Sequence, residues 1–398
     1  MKTKLLIIAF CLLLIPGLIS AQDNMHAGDI MIDHANSLEI YDDLVILTGG
    51  VVVSSDGKDA KGDTGFTLFT PSLILSDGSF METFGRSEII SGKFSIKADK
   101  IYFDADTDEL NTVGNVQIHS LDKKQNLIAP KVKIDLKEKI LFASEGVKSE
   151  MISSDGQADD EKETYVITSP VQRLNLEYVA GEQILLASQG AHATFTDGTV
   201  HGQTIEIYEP LAPLNRKVAV RGDSVCQLQE TLVMADKADI YTDSEGQLHR
   251  AFFEGSAKLD SPENELISKG DSIEYFFKSE NMSVLGDLAF IESKNKKAWA
   301  EEIYLLQDAH KQAQNDQNNQ IASNSKKSNN NKKAKQNKGT LWLYGKARIL
   351  ENNQEIRSDL MNISLDNSDL ETGPFGRTKG VLWLDEQEKT ATDSSDSK

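Results

Sequence analysis

Two tripeptides have the shape of a nucleophile site. Gly222-Asp223-Ser224 and Gly270-Asp271-Ser272 each set a serine hydroxyl behind a glycine and an acid. Acyl transfer needs a base within reach of that hydroxyl, and no histidine is arranged around either one. Arg221-Gly222-Asp223 spells an adhesion tripeptide, expected to be a coincidence of composition. Asp104, Asp106 and Asp108 open like a calcium loop, but Glu109 stands where the sharp turn needs glycine and Asn115 where a bidentate glutamate is required. The seven histidines are dispersed singly, without ligand spacing. No Gly-rich phosphate loop, nucleophile elbow or framed pair of acids occurs. The residues predict a protein that binds rather than catalyses, with no metal and no cofactor.

Each of these strings falls inside a repeat that already explains it. The clearest copy is Ile96 to Ile118, IKADKIYFDADTDELNTVGNVQI. A small residue (Ala98) and a polar one (Asp99) precede two alternating apolar residues, Ile101 and Phe103. A turn follows, then Gly114 and a second alternation, Val116 and Ile118. Alternation on both sides of a turn-forming DADTD predicts two half-buried strands. Equivalent copies begin near Ala35, Thr70, Ala129, Ser169, Gly202, Ala235, Gly270, Ala300 and Ser358. Their later glycines fall at 49, 85, 114, 146, 190, 222, 255, 286, 345 and 380, and seven of the nine spacings lie between 29 and 36 residues. One outlier holds the acidic insert SSDGQADDEKE. The other holds Gln312 to Lys338, a 27-residue run rich in Asn, Gln, Ser and Lys. That run has too few apolar residues to offset the entropy of ordering and is expected to be a solvated insertion, as is the tail from Asp385.

Apolar parity changes between Ala98 and Ile101, and again across Pro130 and Lys131. A straight strand would turn its inward side chains outward at such a slip, so a bulge or corner is expected there. Proline at this place in three copies agrees, since it lacks the N–H that a central ladder needs. The fold class expected is all-β: an elongated, open β-jellyroll of stacked bent antiparallel strands, with about ten strand-turn-strand units. The inward positions after the corner are Leu73, Leu75, Ile101, Phe103, Val132, Ile134, Ile205, Ile207, Ile240, Ile273, Tyr275, Ile303 and Leu305. If the two faces do not close, these line a long apolar groove with unpaired ends.

The N-terminal segment sets the compartment. Lys2 and Lys4 precede an apolar run, Leu5 to Ile15, and residues 16–21 end in Ala21, the form of a cleaved secretory signal. Cys11 lies inside it behind Phe10, where a lipid-attachment site wants a small residue. Without that segment Cys226 is the one remaining cysteine, so no internal disulfide is expected. The formal charge is −20, and loss of Lys2 and Lys4 takes it to −22, which disfavours nucleic acid as a partner. The domain plan expected is 1–21 signal, 27–311 repeats, 312–338 insertion, 339–384 final repeats and 385–398 tail.

These units resemble those of the LptA/OstA family of periplasmic lipopolysaccharide-transport proteins, whose domain recurs in LptC and the N-terminal part of LptD. The resemblance is clearest in HANSLEIYDDLVILTGGVVV and in the Ile96 to Ile118 stretch. It implies a periplasmic protein whose interior holds acyl chains, so that the thirteen inward residues become groove candidates. It also implies end-to-end strand pairing with LptC-like inner-membrane and LptD-like outer-membrane jellyrolls, and self-association. The chain departs from compact bridge proteins in its length, its lysine-rich insertion and its acidity. A structural or adhesive β-repeat protein with a self-packed interior is the alternative. A β-solenoid acting on polysaccharide is disfavoured by the missing carboxylate pair.

Overall fold

A computed structural model describes residues 30–55, 65–76, 80–91, 94–104, 106–121, 125–152, 164–176, 181–208, 216–242, 247–293, 296–307, 339–351, 354–364, 370–372 and 379–382. The signal-like segment, the insertion at 312–338 and the acidic tail lie outside the described residues. The chain forms two compact units: residues Met1–Thr196 with Thr204–Glu209, and Asp197–Gln203 with Pro210–Lys398.

In the first unit the strands are β1 (Ile30–His34), β2 (Ser37–Tyr41), β3 (Leu44–Ser55), β4 (Phe66–Ser76), β5 (Phe80–Phe84), β6 (Ser87–Ser91), β7 (Phe94–Ala98), β8 (Lys100–Asp104), β9 (Glu109–Ser120), β10 (Gln125–Asp135), β11 (Ile140–Ile152), β12 (Thr164–Asn175) and β13 (Gln183–Phe195). β14 (Gly198–Tyr208) gives residues to both units. The second unit holds β15 (Lys217–Leu228), β16 (Thr231–Thr242), β17 (Leu248–Ser261), β18 (Leu266–Phe276), β19 (Asn281–Ser293), β20 (Lys296–Gln307), β21 (Gly339–Glu351), β22 (Gln354–Ser364), β23 (Leu370–Thr372) and β24 (Lys379–Leu382). Among the described residues the one helical element is a 3-10 turn at Pro262–Asn264, and no helix is long and apolar enough to cross a membrane.

The strands pair antiparallel, each with a chain neighbour or, where strands are broken, with a piece two or three strands along, as in β4 with β6 and β5 with β8. The all-β repeat architecture expected from the sequence is thus present, and its corner is visible in the register. From Val113↔Lys131 to Val116↔Ala129, β9 spends three residues while β10 spends two. The same slip recurs between Thr48 and Val51, Ser144 and Val147, Arg221 and Ser224, and Glu254 and Ala257. At the corners of β1/β2, β5/β6 and β7/β8 the strand breaks in two altogether.

The corner explains why glycine marks the repeat. Gly114 has φ +79° and Asn115 φ +46°, a left-handed step that L-residues disfavour. The side chain of Asp99, from the neighbouring strand's corner, lies over Gly114, and a Cβ added there would sit 2.6 Å from Asp99 Oδ2. Asn115 Nδ2 donates to Asp99 Oδ2 (2.7 Å), while Arg86 Nη1 donates to Asn115 O (2.7 Å) and Asp99 Oδ1 (3.3 Å). The bend expected at the small residue is therefore shared: the Gly-bearing return strand bends beside it.

Each strand so bent has two halves, and in each unit the halves form two leaves. In the first unit one leaf turns inward Val51, Val53, Leu68, Ile96, Val116, Ile118, Leu127, Ala129 and Ile167; the other turns inward Leu47, Leu73, Ile101, Leu110, Val132, Ile134, Leu141 and Leu174. The leaves meet across the interior where the Phe66 and Phe103 rings touch edge to face at 6.0 Å. In the second unit Val233, Ala257, Leu259, Ile291, Ala298 and Ile349 form one lining, with Val220, Ile240, Phe253, Ile273, Val284, Ile303 and Leu343 on the other. A fully buried side chain of this size stabilises by about 1.5–3 kcal/mol. Outer-face ion pairs such as Lys133–Glu109 (2.5 Å) and Lys217–Asp239 (2.9 Å) contribute about 0–1 kcal/mol each, so the lining decides the fold.

Candidate functional site

The chemistry-bearing strings resolve into structural parts. Ser224 is buried and its Oγ donates to Ala235 O (2.7 Å) beside the Gly222 corner. Asp104 closes a local turn by accepting from the Asp106 N–H (2.9 Å). Among the described residues no group of three or more His, Cys, Asp or Glu could hold a metal. Cys226 is buried on the inner face, and burial pushes its thiol up to about 12, far from a reactive thiolate.

In each unit the groove candidates fall on one leaf of the bend, the leaf that follows the small-residue corner. Leu73, Ile101, Ile205, Ile207, Ile240, Ile273 and Ile303 are wholly buried, and Val132, Ile134, Tyr275 and Leu305 nearly so. Leu75 and Phe103 are half-buried, at the strand ends farthest from the corner. Tyr275 is held protonated by burial first, then by the nearby charges of Glu280 and Glu263. The facing leaf does not stand out in the sequence. Its inward residues include small ones, such as Ala289, Ala298, Ala300 and Ala347 in the second unit. Alanine and serine carry little hydropathy contrast, and alternation at the Gly-bearing strands restarts after a two-residue left-handed step. The usable signal is the alternation after each repeat glycine, as in Val116 and Ile118.

Among the described residues most inward side chains of both leaves are buried. In the first unit a crevice remains between the strand ends of the two leaves, bounded by Phe94, Leu127 and Met151 on one side and Leu141, Leu174 and Leu176 on the other. Its free space is about 10 Å³, room for about one water. At the first unit's N-terminal edge, among the described residues, β2 pairs with β3 alone. All five of its residues are exposed, including Leu38 (37 %) and Ile40 (44 %), which sit opposite the buried Leu47 and Val45. An edge strand with inward-type aliphatics left uncovered is a template for another strand.

No family model matches the chain, and no curated protein is similar to it. One solved structure that aligns is LptH, the LptA-homologous periplasmic component of the lipopolysaccharide transport device from Pseudomonas aeruginosa. The identity is 15%, the alignment covers 29% of this chain and 82% of that one, and the TM-score is 0.25. A likeness of that size adds nothing to the functional assignment, which rests on the chain's own residues.

Proposed function

We propose that this protein is a periplasmic carrier that shields the acyl chains of a lipopolysaccharide-class lipid between the two leaves of its bent strands and passes the lipid on without a chemical step. The observation that carries the reading is the lining: in each unit the inward positions on both leaves are mostly aliphatic from strand to strand, with the candidates on the leaf after the corner. Moving an acyl chain from water into such a lining returns about 0.8 kcal/mol per CH₂. The bare edge of β2 supports hand-over by strand addition to an LptC-like or LptD-like jellyroll, or to a second copy, because unpaired N–H and C=O groups there accept another strand. The signal-like N-terminus supports delivery to the periplasm.

A second reading, a self-packed structural repeat protein of the envelope, is favoured by one observation. Seven of the candidates have no exposure at all, and an acyl chain enters only if the leaves part. A photo-crosslinking residue at Phe103 or at Ile273 separates the two. Phe103 lies at the strand end where the leaves meet, and Ile273 lies deep. Lipid captured at both positions, and not at the outward neighbour Tyr102, is the result expected of a carrier. Silence at both, with the protein folded, establishes the scaffold.

A further inference from the structure

The outer face of the second unit carries one row that the fold does not account for. Reading directly across the ladder from β17 to β22, the partners are Lys258, Lys269, Phe290, Trp299, Arg348 and Arg357, one from each strand. Their neighbours along the strands, such as Ala257, Ala289, Ala298 and Ala347, are buried, so the six side chains stand outward. The middle four stack. Lys269 Nζ lies 5.9 Å from the centre of the Phe290 ring, the Phe290 and Trp299 rings are 5.3 Å apart, and the Arg348 guanidinium lies 4.7 Å from the Trp299 ring. Like charges directly opposite each other weaken a sheet, and the row holds two such pairs. Arg348 and Arg357 share Glu355. Lys258 and Lys269 have no acid partner among the described residues, whereas Lys217, Lys237, Lys296, Lys297 and Lys346 of the same unit each meet one. In a chain with 62 acids against 42 lysines and arginines, an uncompensated lysine pair beside a cation–ring ladder is a cost that a ligand would offset.

We infer that this row is a binding strip for an acidic polysaccharide laid across the strands. The strip lies outside the lining and needs no lipid between the leaves. Six strands span about 24 Å at ~4.8 Å between neighbours, and four cations along that length are sparse. Duplex nucleic acid carries one charge per ~1.7 Å and would overfill them, whereas a glycan of acidic sugars presents charge at the wider spacing of its residues. Phe290 and Trp299, set between the two cation pairs, offer apolar surface to the C–H face of a sugar. Asp260 and Glu292 stand two residues along from Lys258 and Phe290 on the same face, where carboxylate oxygens accept sugar hydroxyls. They also bound the strip on that side, so a flat anionic bilayer would meet acids together with cations, while a thread meets the row. Each strand of the strip is already paired on both sides, so an added peptide would gain no main-chain bonds there.

The test is titration calorimetry of the full chain at low salt with oligogalacturonate long enough to span the strip. Binding is expected. Its neutral methyl ester and poly-glutamate of the same charge should each bind about ten-fold more weakly, the first for want of charge and the second for want of sugar faces. Lys258→Gln with Lys269→Gln, both outward and outside any ion pair, should leave folding intact and weaken oligogalacturonate about five- to ten-fold, the effect of two half-exposed charge contacts. Lys131→Gln with Lys133→Gln takes the same charge from the first unit and should change the affinity less than ~two-fold. No binding, binding as tight to the methyl ester, to poly-glutamate or to phosphatidylglycerol vesicles, or the same loss in both double variants overturns the strip. So does affinity that survives Lys258→Gln with Lys269→Gln, the result if the lysines of 312–338 carried the contact. None of these outcomes touches the lipid reading, which crosslinking at Phe103 and Ile273 decides.

Discussion

The corner stack makes a prediction that two neighbouring glycines test against each other. Gly146 has φ +93° with nothing within 4 Å of an added Cβ, so Gly146→Ala meets backbone strain alone, about 1–2 kcal/mol. Gly114 has a similar φ, +79°, but its added Cβ would lie 2.6 Å from Asp99 Oδ2 and 2.9 Å from Asp99 Cβ. Asp99 must then move off the glycine, and its bonds from Asn115 and Arg86 are lost or stretched. Half-exposed bonds of this kind and a tight contact add about 1–2 kcal/mol, so Gly114→Ala should cost ~2–4 kcal/mol in all. The difference between the two variants isolates the contact. Because the chain folds as two units, a single unfolding curve does not report this. Native-state hydrogen exchange of the β9 and β10 amides does. Asp99→Gly removes the obstructing side chain, so adding it to Gly114→Ala should recover ~1–2 kcal/mol relative to the sum of the single changes. Equal losses for Gly114→Ala and Gly146→Ala, or no coupling to Asp99→Gly, refute the stacked corner.

Two further outcomes concern buried groups. Glu355 is 4 % exposed, and hydrogen bonding from Arg357, with the Arg348 charge beside it, holds its carboxyl below the usual carboxylate range; Arg348 Nη2 donates to it at 3.3 Å. A depressed folded-state value means stabilisation that is present above the unfolded value of about 4.3 and lost as pH falls through the folded one. Exchange protection of β21 and β22 should therefore weaken on acidification below about pH 4.3, and Glu355→Gln should flatten that dependence; protection that rises with acid contradicts the pairing. Cys226, wholly buried with its thiol raised to about 12, should resist alkylation at pH 8 until the second unit unfolds, and labelling of native protein at the rate of a free thiol would place it elsewhere.

How much of this architecture the sequence discloses depends on what each residue has to do. The corner is legible at Pro130 and Asp99 because a parity slip leaves a permanent mark: Leu127 and Ala129 point inward on one side, Val132 and Ile134 on the other. The repeat glycine is legible as a ruler and not as a mechanism. At most of these glycines the reason includes a side chain supplied by the neighbouring strand, such as Pro71 against Gly85 or Gln203 against Gly222, though nothing lies within 4 Å at Gly146 and Gly190, and no local pattern records that neighbour. Division into two units is not visible either, since β14 follows the same alternation as its neighbours and its Ile205 and Ile207 are as buried as Ile101.

The candidate site is half visible in the sequence for the same reason. Large aliphatics after the corner stand out against the polar residues between them, so Ile205, Ile240 and Ile303 are evident. Their counterparts across the bend mix alanines and serines with the larger aliphatics, and their inward direction shows only once the left-handed step at each glycine is counted. That asymmetry bears on function. A self-packed core needs only side chains that fill the space between the leaves, whereas a carrier needs leaves that can part to admit a chain. The carrier and scaffold readings therefore diverge at Phe103 and Ile273: a scaffold leaves both positions silent to lipid, whereas a carrier captures lipid at both and not at the outward Tyr102.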